Sequence, residues 1–488
     1  MMIKPKFKNL KELKDSGYKT KSIKDELSEN LSILIKSGKP SFPNIHGYEN
    51  TVIPDLERAI LSKHNINFLG LRGQAKTRLA RMMVELLDDW IPIIKGSEIN
   101  DDPLNPISNI GKSIIKKNGD DSEIDWVHKS ERFFEKLATP DVTVSDLIGD
   151  IDPIKAASLK LSYADESVIH FGMIPRANRS IFVINELPDL QARIQVSLFS
   201  ILEEKEIQIR GFKLRIPLDI QFVFTANPED YTNRGSIVTP LKDRIGSQII
   251  THYPHSLNIA KKITQQESKV TDSEIYIPEL AKDLIEEINF AARKSEFVDF
   301  KSGVSARMSI TAYENLISTA KRRMLINNEK NTSIRLSDFT GIIPSINGKI
   351  ELVYEGEEQG SDQISFNLIN EGVKTIFLKF FPEISKLQKP NQSNDYDQII
   401  AWFVENNTEL FIGDEFSNKE YQNAINDVIP INKLIKNYCK SEKDEDLLFI
   451  KEILLWGLTS FNKLSKNRML DGIEFKDSLG TYLEDLNS

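Results

Sequence analysis

The sequence predicts an α/β fold in which a parallel sheet is covered by helices on both faces. Short apolar runs typical of buried strands are present, namely NINFLG, SIFVINE and IQFVFTAN. Amphipathic helical stretches, such as TRLARMMVELLDDW, lie between these runs. The first run leads directly into GLRGQAKT (residues 70–77), which is close to the phosphate-loop pattern G-x-x-x-x-G-K-[ST].

Composition restricts the class of protein. The chain has 488 residues, so several domains are expected. Its net charge of −9 disfavours a general nucleic-acid binder. Cys439 is the only cysteine, which excludes an intrachain disulfide and favours a reducing compartment. The sequence has no apolar run of about 18 residues and no signal-peptide pattern at its start, so we expect a cytoplasmic location.

The chain divides into four predicted domains. A lysine-rich helical extension spans 1–44 and closes with the Pro/Gly cluster GKPSFPNIHG. The α/β alternation spans 45–254 and contains a polar stretch that predicts a surface insertion with a solvated acidic pair, Asp101-Asp102. Helical periods dominate 255–345, and 346–488 is predicted to be mostly helical.

The loop GLRGQAKT follows a predicted strand and precedes a predicted helix, which is the context that phosphate binding requires. Backbone N–H groups and the helix N-terminus would point at the phosphates. Lys76 would reach the β- and γ-phosphates, and the Thr77 hydroxyl would ligate Mg²⁺. The predicted nucleotide-binding residues of the loop are Gly70, Gly73, Gln74, Ala75, Lys76 and Thr77.

Ala75 departs from the pattern because it stands where the last glycine belongs. If this position needs a positive φ, the added methyl costs about 1 kcal/mol of strain. If the residue already belongs to the right-handed helix start, the methyl costs little.

The second apolar run ends in Asn185-Glu186. After a phosphate loop, a strand of this kind carries an acid for the Mg²⁺ shell and a glutamate that polarises the attacking water. Asn185 occupies the first place, where its amide oxygen can accept a hydrogen bond from a metal-bound water but brings no negative charge. Glu186 is the predicted water-activating residue.

Three further polar residues follow in order. Asn227 ends the strand IQFVFTAN and could hold the attacking water, and Arg244 in TPLKDRIG could neutralise charge on the transferred phosphoryl group in cis or in trans. Arg307 in SGVSARMSI starts a predicted helix. Each alone is more often structural, but their order after a phosphate loop favours a common nucleotide site.

Together these segments resemble the AAA+ ATPases, specifically the branch of the magnesium-chelatase I subunits and MoxR-type ATPases. The resemblance runs from about Phe42 to Arg322. HFGMIPRANRSIFVINELPDL is similar to the family pattern G-x-[IL]-x-x-A-x-x-G-[IV]-x-x-[IVL]-[DN]-E, with Ser180 replacing the last glycine. ATPDVTVSDLIGDIDP, TPLKDRIG and GVSAR are also similar to family segments.

The resemblance implies an AAA+ P-loop parallel sheet with a second-helix insertion at 151–178 and a hairpin near 207–216, before sensor 1. An all-α lid and a mostly helical C-terminal region would follow. The implied roles are Walker B for Asn185 and Glu186, sensor 1 for Asn227, an arginine finger acting on the next subunit for Arg244, and sensor 2 for Arg307.

The resemblance also implies a function. ATP and Mg²⁺ are the expected cofactors, and a finger acting in trans implies a homo-oligomeric ring, with a hexamer expected. Such a ring would couple ATP hydrolysis to remodelling or metal loading of a partner with a von Willebrand A-type domain. Magnesium chelation and MoxR-type chaperone work stay open, and a nucleotide-locked assembly scaffold with little or no hydrolysis is the alternative. An enhancer-type transcription activator, which is also AAA+, is disfavoured because neither a GAFTGA loop nor a DNA-binding helix-turn-helix is found in the sequence. With a net charge of −9, no direct DNA binding is expected.

Overall fold

The computed structural model places the chain in two compact units, Met1–His252 and Tyr253–Ser488. The predicted division into four domains stays a prediction. Within the described part of the chain, no helix is both long and apolar enough to cross a membrane. The described residues are 4–160, 168–209, 215–228, 236–382, 384, 396–406, 409–439 and 443–478.

The first unit combines strands and helices in alternation. Its strands are β1 (Ile66–Leu69), β2 (Trp90–Ile94), β3 (Ile124–His128), β4 (Phe133–Leu137), β5 (Gly149–Ile151), β6 (Ile169–Phe171), β7 (Ser180–Asn185), β8 (Glu206–Gln208), β9 (Arg215–Pro217), β10 (Ile220–Ala226) and β11 (Ser247–Ile250). Its helices are α1 (Leu10–Asp15), α2 (Ile23–Lys36), α3 (Val52–Leu61), α4 (Lys76–Met82), α5 (Asn109–Asn118), α6 (Val144–Leu147), α7 (Pro153–Leu159), α8 (Met173–Arg176), α9 (Ala192–Ser197), α10 (Phe199–Glu203) and α11 (Thr239–Arg244). Short 3-10 helices span Met83–Leu86, Gly119–Asp121, Lys129–Glu131 and Leu187–Asp189.

Five described strands form one parallel sheet in the order β11-β1-β10-β7-β4. Every residue of β7 and β10 is buried, as expected for central strands of a parallel sheet with both faces covered. Leu69 pairs with Ala226, and Phe224 pairs with Ile184, so β1, β10 and β7 end at one edge. The predicted parallel α/β core is confirmed. The residues that directly follow these three strands lie at that edge.

Alternation along the strands divides the core between the two faces of the sheet. Phe182 and Ile184 of β7 join one hydrophobic cluster, whereas Ile181 and Val183 join another. This is the period-2 pattern of a strand. The second cluster also contains Leu27 of α2, so the N-terminal extension packs into the core of this unit.

Two antiparallel pairs lie where the resemblance implied additions to the core. Strands β5 and β6 pair around the segment that contains α7, within the predicted insertion at 151–178. Strands β8 and β9 pair at the hairpin predicted near 207–216. The intervening residues 161–167 and 210–214 lie outside the described residues.

The acidic pair expected to be solvated is buried. Asp101 has no exposed surface, and Asp102 is 5% exposed. The Asp101 carboxylate accepts hydrogen bonds from the backbone N–H groups of Ile107 (2.7 Å) and Ser108 (2.8 Å). The prediction was wrong because a turn-rich polar stretch can wrap its backbone donors around a carboxylate and remove it from water.

The second unit is mostly helical, as predicted. One hydrophobic core runs from Ile275 to Phe475 and includes residues on both sides of position 345. Among the described residues, the strands Leu410–Gly413, Gly472–Asp477 and Leu464–Arg468 form one antiparallel sheet in that order. The helices are α12 (Leu257–Glu267), α13 (Glu279–Lys294), α14 (Arg307–Ile326), α15 (Ile343–Asn347), α16 (Tyr354–Gln359), α17 (Ser361–Phe380), α18 (Asp397–Asn406), α19 (Asn418–Asp427), α20 (Ile429–Tyr438) and α21 (Asp444–Ser460), with a 3-10 helix at Ser337–Ile342. The strands are β12 (Ile275–Tyr276), β13 (Thr332–Ser333), β14 (Leu410–Gly413), β15 (Leu464–Arg468) and β16 (Gly472–Asp477).

Glu452 is a fully buried carboxyl group in the core of this unit. Its Oε2 accepts hydrogen bonds from the Leu336 backbone N–H and the Tyr421 hydroxyl, both at 2.8 Å. Burial raises the pKa of Glu452 from 4.5 to about 7, because the charged form loses its hydration. The folded unit therefore holds this proton more tightly than the unfolded chain does.

We expect the Glu452→Gln variant to lose part of the pH dependence of folding. In the wild type, the stability from protonation is complete below pH 4.5 and is lost as pH rises through about 7. At about 1.4 kcal/mol per pKa unit, the loss is on the order of 3 kcal/mol. Urea unfolding of both proteins from pH 4.5 to 8 measures this loss as a difference in the free energy of unfolding between variant and wild type, which widens as pH rises. A difference that stays constant with pH would contradict the assignment.

Candidate functional site

The loop between β1 and α4 is shaped by close approaches of its own backbone. A Cβ added to Gly70 would collide with the Thr251 hydroxyl and the Gln74 side chain, so only glycine fits there. Gly73 has φ +74°, a conformation that favours glycine. The Gln74 Oε1 accepts a hydrogen bond from Thr251 Oγ1 (2.7 Å), and its carbonyl accepts one from the Tyr48 hydroxyl (2.9 Å). Gln74 therefore fastens the loop to the body of the unit.

The sequence left two backbone conformations open for Ala75, left-handed or right-handed helical, and the structure shows the strained left-handed one. Its φ is +56° and its ψ is +19°, in the left-handed region, immediately before α4 begins. For a residue with a Cβ this conformation costs roughly 1–2 kcal/mol. The loop is therefore held in place against local backbone strain.

We expect the Ala75→Gly variant to raise the free energy of unfolding by up to about 1 kcal/mol, because relieved strain exceeds the added entropy of the unfolded chain. Thermal unfolding of the full chain measures the change. Ala157→Gly, at an exposed helical position in α7, is the matched control and should lower stability by about 1 kcal/mol. Equal losses in both variants would show that the left-handed geometry stores no strain.

Lys76 joins the loop to the end of β10. Its Nζ donates hydrogen bonds to the Gly70 carbonyl, to the Leu71 carbonyl (3.1 Å) and to Asn227 Oδ1 (2.6 Å). Asn227 directly follows β10, which neighbours both β1 and β7. The structure thus brings together the predicted phosphate-binding lysine and the predicted sensor residue.

A second set of contacts joins α4 to the end of β7. Thr77 Oγ1 donates to Asn185 Oδ1 at 3.3 Å, and Thr225 Oγ1 donates to the same oxygen at 3.1 Å. The Asn185 Nδ2 donates to Glu135 Oε1 at 2.6 Å. The two residues predicted to serve the metal, Thr77 and Asn185, are therefore hydrogen-bonded to each other.

Glu186 follows β7 in a left-handed conformation, with φ +55° and ψ +50°. Its backbone N–H donates to Thr225 Oγ1 at 3.1 Å. A non-glycine residue in this region is uncommon and tends to occur at functional sites. Thr225 thus supports both members of the Asn185-Glu186 pair, a role that sequence reasoning did not assign to it.

Arg244 lies at the end of α11 and is engaged within its own chain. Its guanidinium donates to Glu203 Oε2 (2.7 Å from Nε) and to the Pro240 carbonyl (2.8 Å), and it lies 5.0 Å from the centroid of the Phe199 ring. These described contacts are with α10 and α11 rather than with Lys76. Arg307, the predicted sensor 2, is exposed at the first residue of α14 in the second unit.

Glu135 is, after Thr225, a second residue of this site that sequence reasoning missed. It lies on β4, beside β7, and accepts the amide hydrogen bond of Asn185. A lone acid within the strand FFEKL is most simply interpreted as a solvent-facing position. The available signal was an acidic residue within the short stretch FFEKL, but strand order was needed to bring it next to Asn185.

Comparison with known families identifies one domain in the first unit. Residues 126–245 match the model described as AAA domain (dynein-related subfamily). The match contains Asn185, Glu186, Asn227 and Arg244, and leaves 70–77 outside. The matched domain and the parallel sheet give this unit the AAA+ α/β architecture and support an ATPase of that class.

Solved structures provide weaker likenesses. A candidate ATPase from Cytophaga hutchinsonii is 18% identical with a TM-score of 0.31, over 74% of this chain and 98% of that one. A chain from a complex between subunits BchI and BchD of magnesium chelatase is 16% identical with a TM-score of 0.35. The match covers 65% of this chain and 98% of that one. Hsp104 in its closed state is 13% identical with a TM-score of 0.37. The match covers 63% of this chain and 50% of that one. With TM-scores no higher than 0.37, these likenesses carry no argument about function.

Proposed function

We propose that this chain is a ring-forming AAA+ ATPase that couples hydrolysis of ATP to work on a partner protein. One observation carries the proposal. Lys76, Thr77, Asn185 and Asn227 form hydrogen-bonded contacts at the edge where three parallel strands end. This edge is where open α/β sheets bind their ligands.

Each residue has a proposed task in hydrolysis. Backbone N–H groups of the loop and the Lys76 ammonium would bind phosphate oxygens. Asn227, within 2.6 Å of Lys76 Nζ, would hold the attacking water beside the terminal phosphate, and Glu186 would accept a proton from that water.

The residues at the metal-binding end fit Mg²⁺. Mg²⁺ prefers oxygen ligands and keeps several of its waters. The Thr77 hydroxyl would bind the ion directly, and the neighbouring Asn185 Oδ1 would accept a hydrogen bond from one of those waters. When bound, the ion would neutralise negative charge on the phosphates.

Arg244 is the basis for proposing a ring. We propose that it acts on the ATP of the neighbouring subunit, which requires a closed homo-oligomer; a hexamer is the proposed size. Because its guanidinium pairs with Glu203 and stacks on Phe199 within its own chain, it would have to exchange these contacts on assembly.

The work that hydrolysis drives is proposed from the sequence resemblance over about 42–322. It would be remodelling or metal loading of a protein with a von Willebrand A-type domain, in the cytoplasm. Arg307 would report the γ-phosphate to the helical segment that it begins. Metal insertion into protoporphyrin with candidate partner subunits distinguishes the two branches, because ATP turnover without product would reject the chelatase role.

Phosphate release by the purified chain, measured with ATP and Mg²⁺ across protein concentrations, tests the proposal. We expect turnover that rises steeply with concentration as rings assemble and that stops when EDTA removes the metal. Nucleotide binding without phosphate release would instead favour an assembly scaffold locked by ATP. Absence of both binding and release would overturn the proposed function.

A further inference from the structure

Glu135 lies in β4 and is connected to the proposed metal-binding end through a single hydrogen bond. Its backbone pairs with Val183 of β7, two residues before Asn185. One carboxylate oxygen, Oε1, accepts the Asn185 amide at 2.6 Å. The other, Oε2, accepts hydrogen bonds from Arg81 of α4, at 2.6 Å from Nη2 and 3.1 Å from Nε.

The carboxylate fixes which way the Asn185 amide points. An ionised carboxylate only accepts hydrogen bonds, so the amide nitrogen has to face Glu135. The amide oxygen is then left to face Thr77 Oγ1 and Thr225 Oγ1, at 3.3 and 3.1 Å. Without Glu135, a flipped amide would present a donor to the Thr77 hydroxyl.

Glu135 also places a negative charge close to a position that lacks one. Asn185 stands where an acid is expected for the Mg²⁺ shell, and its neutral amide brings no charge. A hydrogen bond to a carboxylate polarises the amide and makes its oxygen a better acceptor. The Glu135 side chain is 24% exposed, so its charge is only partly screened by water.

We propose that Glu135 is a positioning residue for Mg²⁺. From the neighbouring strand β4, it orients the Asn185 amide and supplies a negative charge near position 185, where the acid is missing. This inference rests on the proposed function, because it assumes that Thr77 and Asn185 serve the metal. Groups that orient metal ligands typically contribute 10–100-fold to metal affinity. An effect near the lower end is expected here, because Glu135 acts through one further side chain.

The test is the Mg²⁺ dependence of binding of a fluorescent ATP analogue to the full chain, which needs no turnover. In Glu135→Gln, which has nearly the same shape, we expect about tenfold more Mg²⁺ to be needed for half-maximal enhancement of binding. Analogue affinity in EDTA should stay the same. Adding Asn185→Asp to this variant should restore the wild-type Mg²⁺ requirement, since the acid then stands at the metal.

Arg81→Gln is the matched control. It removes the partly exposed ion pair between α4 and β4 but leaves the Asn185–Glu135 hydrogen bond. The Mg²⁺ requirement of this variant should be no higher than that of the wild type, because the Glu135 charge stays and loses only its counter-charge. Circular dichroism should show that all variants are folded. An unchanged requirement in Glu135→Gln, an equal increase in Arg81→Gln, or no recovery with Asn185→Asp would each overturn the inference.

The two failures can be told apart. If the wild type binds the analogue equally well with Mg²⁺ and with EDTA, the metal-dependent nucleotide site itself is rejected. If the wild type depends on Mg²⁺ but Glu135→Gln behaves like it, only the role of Glu135 is rejected and the proposed function stands.

Discussion

Glu186→Gln is expected to lower the rate of ATP hydrolysis by about 10²–10⁴-fold, the usual contribution of a general base. The residue directly follows β7 at the edge where β1 and β10 also end, and its backbone is anchored to Thr225 Oγ1 at 3.1 Å. The amide of glutamine keeps the shape of the side chain but does not accept a proton from water at neutral pH. Nucleotide binding should therefore persist while turnover is lost.

Single-turnover and steady-state phosphate release measure the loss, and titration with a fluorescent nucleotide shows that binding remains. Glu131→Gln is the control, because Glu131 is an exposed acid in the same unit and should leave the rate unchanged. Hydrolysis at the wild-type rate in Glu186→Gln would assign the base to another group. A wild type that binds but does not hydrolyse ATP would point to the scaffold alternative.

Arg244→Ala is expected to lower hydrolysis by about 10³-fold or more, as removal of an arginine finger does in other phosphoryl-transfer enzymes. The positive charge at the end of α11 would neutralise charge that develops during transfer in the neighbouring subunit. Its pairing with Glu203 at 2.6 Å shows that the guanidinium also has a resting partner in its own chain.

Mixing of variants tests whether the arginine acts in trans. Arg244→Ala subunits keep Lys76, and Lys76→Ala subunits keep Arg244, so a mixed ring contains interfaces at which both groups are intact. We expect the mixture to recover activity that neither variant has alone. No recovery, with co-assembly shown by light scattering, would mean that Arg244 acts within its own chain or only supports the fold.

Loss of turnover in both Glu186→Gln and Arg244→Ala would exclude the scaffold interpretation, because a scaffold has little or no hydrolysis to lose. Loss in Glu186→Gln alone would leave an ATPase that does not depend on this arginine. The pair of variants therefore separates hydrolysis from the mode of assembly.

Much of the first unit follows from local patterns in the chain. The apolar runs before Gly70, at 180–185 and at 220–226 are long enough for strands, and amphipathic helical stretches lie between them along the chain. That pattern indicates a parallel sheet, and parallel strands end at a common edge. The placement of Lys76, Asn185 and Asn227 near one another could therefore be predicted, and their hydrogen bonds agree with it.

Folding in three dimensions was needed for features that depend on residues far apart in the chain. The strand order brings Glu135 to Asn185, fifty residues along, and no local pattern encodes that neighbour. The path of the loop gives Ala75 its left-handed φ, where the sequence left two conformations open. Asp101 is buried because backbone donors of a later turn surround it, and Arg244 is held by Glu203 of another helix. Hydrophobic periodicity and strand ends depend on contiguous residues, so the sequence alone indicates them. Hydrogen-bond partners and charge pairs depend on which elements pack side by side, so they require the tertiary structure.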